Sequence, residues 1–356
     1  PHHVAPACRH FGQCGGCQLQ HVDEAELSRF VTERVTNAAE GQGLSIGELL
    51  PTHLSPPRSR RRATLHAQTG GQRPLIGYRE ERSHRIVALA ECPVLAPQLW
   101  ALVEPLRRLL ALWSARHAVD IAMTLTDQGI DLAVRGLELD GLAHTEGVLD
   151  FARDQGLARL SLDQGYGPEA MWEPEPVTVT LSGQVVTFPS GSFLQATADG
   201  EAALVADARR WLADSPSVAD LFAGLGTFAF ALAPHSAVVA VEAARDAYLA
   251  CRSAAARARL PVESVHRDLF RNPLQPDELA RFGAVLLDPP RAGARDQVEQ
   301  IAASGLARAV YVSCNPASWA RDAARLVEAG FRLEQVRAVG QFRWSTHVEL
   351  TSLFVR

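Results

Sequence analysis

Lysine is absent: all 35 basic side chains of this 356-residue chain are arginines. That removes the P-loop Gly-Lys-Ser/Thr device for nucleotide phosphates. It leaves arginine, the better residue for bidentate phosphate contacts and for stacking on bases. Also lacking is any apolar run long enough to cross a membrane or to act as a secretory signal. A cytoplasmic protein with no membrane partner is therefore expected. There is no excess of positive charge. A formal net charge of −5 argues against a protein that coats nucleic acid without specificity, while leaving room for local basic patches. Internal repeats and low-complexity tracts are missing too, and nothing calls for an obligate protein partner.

What is present suits a globular chain of two or three domains with substantial cores. Pro1 stands where an initiator Met would, which leaves room for a natural segment ahead of it. Six cysteines in such a chain point to metal binding or catalysis more than to disulfides. Cys8, Cys14, Cys17 and Cys92 come early; Cys251 and Cys314 come late.

The run from Cys8 to Cys17 holds three thiols, with Gly15 and Gly16 letting the backbone fold tightly round a small object. Cys92, before Pro93, is the early candidate for a fourth ligand. Four thiolates hold either tetrahedral Zn or a 4Fe-4S cluster, and spacing does not separate the two. Leu27, Phe30, Val31, Val35 and Ala38 have helical spacing between Asp23 and Glu40. After the breaker-rich stretch from Pro51 to Pro57, Arg58, Arg60, Arg61 and Arg62 enter an alternating run. They read equally as phosphate contacts or as a solvated strand edge. A Leu-rich helix from Trp100 to Ala118, two strands around Asp127-Gln128-Gly129, a helix from Val148 to Ala158 and a hairpin turning at Ser182-Gly183 follow. Residues 45–187 thus form a β-rich central domain after a knuckle and helix over 1–44.

From 188 onward helices and strands alternate, which implies βαβ units and a parallel sheet. Val218 to Phe228 is a strand running into a Gly224-Leu225-Gly226 turn, and the next strand ends at Glu242. The glycines let backbone approach a ligand, and the acid can accept from ribose hydroxyls. The third glycine of the dinucleotide fingerprint is replaced by Phe228 and Ala229. S-adenosylmethionine therefore fits better than NAD or ATP. Further strands end at Asp268, suited to an adenine end, and at Asp288-Pro289-Pro290-Arg291, a loop stiffened by two prolines. The strand Ala309 to Val312 runs into Ser313-Cys314-Asn315-Pro316. Pro316 ends the ladder and puts Cys314 at the strand's carboxyl end, the edge facing the ligand crevice. That thiol reads as a nucleophile or as a small buried hydrophobe. A closing strand pair, Phe331 to Val336 and Val348 to Val355, carries His347-Val348-Glu349 at its corner.

Together these motifs resemble the S-adenosylmethionine-dependent RNA uracil-C5 methyltransferase family, which makes 5-methyluridine in tRNA and 23S rRNA. The resemblance rests on the four early cysteines, Ser192-Phe193-Leu194-Gln195, Asp220 to Thr227, Asp288 to Arg291, Ser313 to Pro316 and His347 to Glu349. It implies a Rossmann-like class I methyltransferase domain over 188–356, preceded by an iron-sulfur segment and the β-rich domain. It implies a 4Fe-4S cluster on Cys8, Cys14, Cys17 and Cys92, Cys314 as nucleophile and Glu349 as base. Gln195, Phe222, Thr227, Glu242, Asp268 and Asp288 match positions lining the family's cofactor pocket, and the partner is an RNA substrate. Members usually carry Asn where Thr197 stands, which bears on local substrate contacts. Several also carry an amino-terminal RNA-binding TRAM domain, which these residues do not contain. Adding a thiolate to uracil C6 asks for a lowered thiol pKa, with Arg291 as the cation to lower it. Phe193, Phe342 and Trp344 are candidate partners for a base taken out of its stack, or core aromatics.

Overall fold

Five apolar segments, each running into a turn or a polar residue, lie side by side at the centre of one sheet. The structure, a computed structural model, describes residues 2–356. Ser217–Leu221, Ala237–Glu242 and Val262–His266 are parallel neighbours on one side. Ala284–Leu287 pairs with the other edge of Ser217–Leu221, and Arg308–Ser313 pairs with Ala284–Leu287, all parallel. Glu349–Val355 then runs antiparallel between Arg308–Ser313 and Arg332–Gly340. The strand order reverses at Ser217–Leu221, so the ligand crevice of an open α/β sheet falls outside the carboxyl ends at that point.

The central strands are apolar on both faces because both faces are covered, and all four residues of Ala284–Leu287 are buried, whereas the edge strand Val262–His266 is partly exposed. One face packs on the helices Ala198–Leu212, Thr227–Leu232 and Arg245–Ala258 and on the hairpin Thr178–Leu181/Gln184–Thr187. The other packs on Glu24–Gly41, Arg295–Ala303 and Pro316–Glu328. Two findings differ from the expected division. Glu48–Leu49 and His53–Leu54 add parallel strands to Arg332–Gly340 in the large sheet. The early helix and the hairpin contribute to the same core.

A second sheet of seven strands runs in the order Ile86–Ala88, Leu75–Arg79, Arg62–Gln68, Ala118–Thr126, Gly129–Arg135, Arg159–Asp163 and Pro168–Trp172. The expected helix from Trp100 to Ala118 is two short ones, Pro97–Ala101 and Val103–Leu110, after which the chain leaves helix. Restarting at Val103 puts Pro105 in a first turn, where its missing N–H costs no intrahelical bond. No helix among the described residues is long and apolar enough to cross a membrane.

Candidate active site

Each parallel strand delivers one chemical group to the crevice edge. Leu221 hands over to Phe222, whose φ of 62° is unusual for a bulky residue. Gly224 and Gly226 both have positive φ, and Thr227 opens the following helix. A Cβ on Gly226 would lie 2.6 Å from the Phe230 ring and 2.9 Å from Cys251 Sγ. Only glycine satisfies both the backbone and the packing there. Glu242, ending the next strand, accepts hydrogen bonds from the N–H groups of Gly224 and Ala244, at 2.7 Å each. The acid thus braces the turn from the neighbouring strand end. Asp268 accepts from the N–H of Phe270, which is exposed and lies 5.4 Å from Phe222, ring centre to ring centre. This aromatic pair beside a carboxylate was not foreseen from Phe270's place in a loop.

Cys314 and Glu349 are brought together by strand register. The antiparallel pairing ends with Ser313 opposite Leu350, so the next residue of one strand, Cys314, and the preceding residue of the other, Glu349, come near enough for the carboxylate's charge to act on the thiol. Asn315 caps the helix Pro316–Glu328 and donates to the Arg291 carbonyl at 2.9 Å, tying the thiol's loop to the Asp288–Arg291 loop. Gln341, at the end of the strand Arg332–Gly340, donates to Gln195 Oε1 at 2.8 Å, and Gln195 reaches Asp288 at 3.5 Å. Glu349 is buried, and burial pushes it up to about 7 against a hydrogen bond from Gln341 and the charge of Arg62. Gln341 and Arg62 were missed as partners of Glu349. The available signal was a polar residue at the end of an apolar strand and an arginine inside an alternating run.

The expectation of a lowered Cys314 pKa is corrected. Burial, then the charges of Glu349 and Asp288, push the thiol up, and Arg291 opposes them as the smallest influence. Asp288 is itself raised, by burial first and then by Glu349 and Asp220. Asp220 is fully buried with neither oxygen hydrogen-bonded, and burial pushes it up to about 8. Like charge thus couples Asp288 to both Glu349 and Asp220, and a cation among them would ease their joint ionisation.

Thr197 is buried, and its hydroxyl accepts from Gly200 N–H as the N-cap of Ala198–Leu212. That is a job threonine shares with asparagine. Phe193 is 57% exposed, with Arg62 over its ring at 4.8 Å. Trp344 is instead a core residue packed with Leu27 and Val94, and its carbonyl accepts from the N–H groups of Gln18 and Leu19. As a stacking candidate it is thereby set aside.

The four early thiols are free and line one cavity, together with Gln20, Arg60 and Tyr78. Gly15 lies so close to the strand Leu75–Arg79 that a Cβ there would be 2.8 Å from the Arg79 carbonyl oxygen, which explains the first glycine of the pair. Backbone N–H groups of His10 and Gly16 donate to Cys8 and Cys14 at 3.4 Å. Burial pushes all four thiols up, Cys17 to about 12. Among the described residues no three potential ligands come together closely enough for a single metal ion. The donor set is soft, and the Tyr78 hydroxyl in the cavity wall is buried without a partner. The donor set fits a thiolate-bound metal group, and the hydroxyl leaves a donor free to face it.

A Gly-X-Gly turn braced by an acid from the next strand, at the switch point of this sheet, defines a class I methyltransferase fold. A profile of the tRNA (uracil-5-)-methyltransferase family matches residues 175–356. An RNA methyltransferase of Zymomonas mobilis is 49% identical over all of this chain and 90% of its own length. The 23S rRNA (uracil(1939)-C(5))-methyltransferase RlmD of Pectobacterium carotovorum is 34% identical over all of this chain and 81% of its own length. In fold the chain is similar to the Pyrococcus abyssi tRNA (uracil-54, C5)-methyltransferase solved in complex with S-adenosyl-L-homocysteine. The TM-score is 0.76 at 22% identity, over 96% of this chain and 85% of that one. The chain belongs to the tRNA (uracil-5-)-methyltransferase family, a family of RNA uracil-C5 methyltransferases.

Proposed function

We propose that the chain methylates C5 of a uridine in tRNA or 23S rRNA, in the cytoplasm, through a covalent adduct between Cys314 and uracil C6. S-adenosylmethionine supplies the methyl group as an electrophilic sulfonium. As the substrate enters, Cys314 gives its thiol proton to water, and the thiolate Sγ bonds to C6 and pushes electron density into the C5–C4–O4 enolate, which makes C5 nucleophilic. C5 then takes the methyl, and the electrons of the broken S–C bond stay on the departing sulfur. Glu349 removes the proton left on C5, the C6–S bond breaks, and the thiol is regenerated.

The observation that carries this reading is the nearness of Cys314 and Glu349, which follow directly on the Ser313–Leu350 pair and interact through charge, joined to a Glu349 pKa of about 7. A base poised near neutrality is efficient at abstracting a carbon-bound proton. The raised thiol accords with a nucleophile that stays protonated until the substrate enters. Gln195, Phe222, Thr227, Glu242, Asp268 and Asp288 are assigned to the methyl donor. Asp220, fully buried, and Asp288, partly exposed at the crevice edge, suit a ligand that bears an ammonium and a sulfonium.

Cys8, Cys14, Cys17 and Cys92 are assigned to a 4Fe-4S cluster. A single tetrahedral Zn would hold its sulfurs roughly 3.8 Å apart, whereas a cubane spreads four thiolates over four irons. The four thiols line one cavity, and the family resemblance favours the second. The cluster would join residues 8–17 to the segment carrying Cys92.

Tritium release from uracil-C5-labelled RNA tests the reaction. With S-adenosylmethionine present, release is expected from unmodified tRNA or from a 23S rRNA fragment, and the active transcript identifies the substrate. No release from either would reject the reading.

A further inference from the structure

We propose that the Tyr78 hydroxyl and the Arg60 guanidinium hold the negative charge of the group bound by the four early thiolates and thereby set its reduction potential. This rests on the cluster reading above. Tyr78 lies on the strand Leu75–Arg79, with its ring against Gly16, where a Cβ would be 3.4 Å away. Its hydroxyl is buried, has no hydrogen-bond partner and lines the cavity. Phenylalanine would pack equally well without the roughly 1–3 kcal/mol penalty of an unpaired buried hydroxyl. A hydroxyl in that place wants an acceptor, and Cys14, Cys17 and Cys92 line the same cavity near enough for their charges to act on it.

Four thiolates round an iron-sulfur core carry net negative charge, and burying it requires donors and a counter-charge. Backbone donors already serve Cys8 and Cys14. Arg60 lines the same cavity, its Nε donates to the Arg62 carbonyl at 3.0 Å, and no carboxylate pairs with it among the described residues. Its guanidinium also lies 5.3 Å over the Phe342 ring, which meets His347 edge-on at 6.0 Å. Arg60 thus stands between the thiol cavity and the strand end bearing Glu349. Hydrogen bonds to sulfur and nearby positive charge favour the reduced, more negative state and raise the potential.

The test is a mediator-poised redox titration, followed by electron paramagnetic resonance, on the anaerobically purified full chain. Tyr78→Phe and Arg60→Gln are each expected to keep the wild-type iron and sulfide content and to shift the midpoint to lower potential. The deuterium-sensitive shift in the Fe–S Raman bands should be smaller in Tyr78→Phe than in wild type, the part due to the backbone donors at Cys8 and Cys14 remaining. Should Tyr78→Phe fail to fold, Arg60→Gln reads the charge effect independently. Wild-type midpoints in loaded variants would overturn the proposal while leaving the cluster reading intact. Wild-type protein without iron and sulfide would overturn both.

Discussion

Glu349 is a carboxyl that the fold holds at a cost. Its folded pKa of about 7 lies above the ordinary 4.5. The folded protein therefore binds this proton more tightly than the unfolded chain. That contribution is fully present below about pH 4.5 and is lost as pH rises through 7. Glu349→Gln, which does not titrate, should therefore be the more stable protein at pH 8, by about 3 kcal/mol. The advantage should shrink to nothing near pH 4.5, and denaturant unfolding at the two pH values measures it. Cys314 carries a second titration. In the protein without RNA, iodoacetamide should alkylate it with a midpoint above the ordinary thiol value, because burial and the charges of Glu349 and Asp288 oppose the thiolate. Glu349→Gln removes one of those charges and should move the midpoint down. A midpoint below the ordinary value would contradict the account. Cys314 stood out in the sequence at the end of an apolar strand before Asn-Pro, and Glu349 through the resemblance of its motif to the family's. Their protonation was not legible there, since the charges that set it come from strands far apart in the chain.

At the scale of elements, the glycine turn shows how packing and binding are joined. Gly226→Ala must adopt a φ of 99° and push against the Phe230 ring and Cys251 Sγ. Backbone strain and overpacking together should cost about 2–4 kcal/mol. S-adenosylhomocysteine affinity should fall at least tenfold in calorimetry. Adding Cys251→Ala should restore part of the stability but not the φ, and so not the full affinity. A Gly226→Ala protein with wild-type stability and affinity would show that the turn is not held as described. Strand ends were readable because an apolar run followed by an acid, a proline or a cysteine is a local signal. The pairings of Glu48–Leu49 and His53–Leu54 with Arg332–Gly340 were not, because nothing in a two-residue strand names its partner. The same holds for the register between Arg308–Ser313 and Glu349–Val355, on which the site depends. The helix broken at Leu102 was hidden by leucines that continue across the break.

At the scale of the molecule, the early cysteine segment bridges the two sheets. Gly15 N–H donates to Arg79 of the seven-stranded sheet, whereas Gln18 and Leu19 donate to Trp344 beside the large sheet. A cluster drawing on Cys92 as well would staple this bridge, so Cys92→Ser should loosen residues 8–17 without unfolding either sheet. Trypsin should then cleave at Arg9 faster than in wild type while the melting of the remainder changes little. Equal cleavage rates would show that the thiols hold nothing together. The claim on which the whole account turns is that Cys314 and Glu349 act at opposite ends of one covalent cycle. It is tested most directly by incubating variants with substrate RNA and S-adenosylmethionine and running denaturing gels. Glu349→Gln should accumulate a methylated protein–RNA adduct and lose turnover by at least the ~10²–10⁴-fold of a missing general base. Cys314→Ala should give no adduct and no methylation. Normal turnover by Glu349→Gln, or a denaturant-resistant complex from Cys314→Ala, would contradict it.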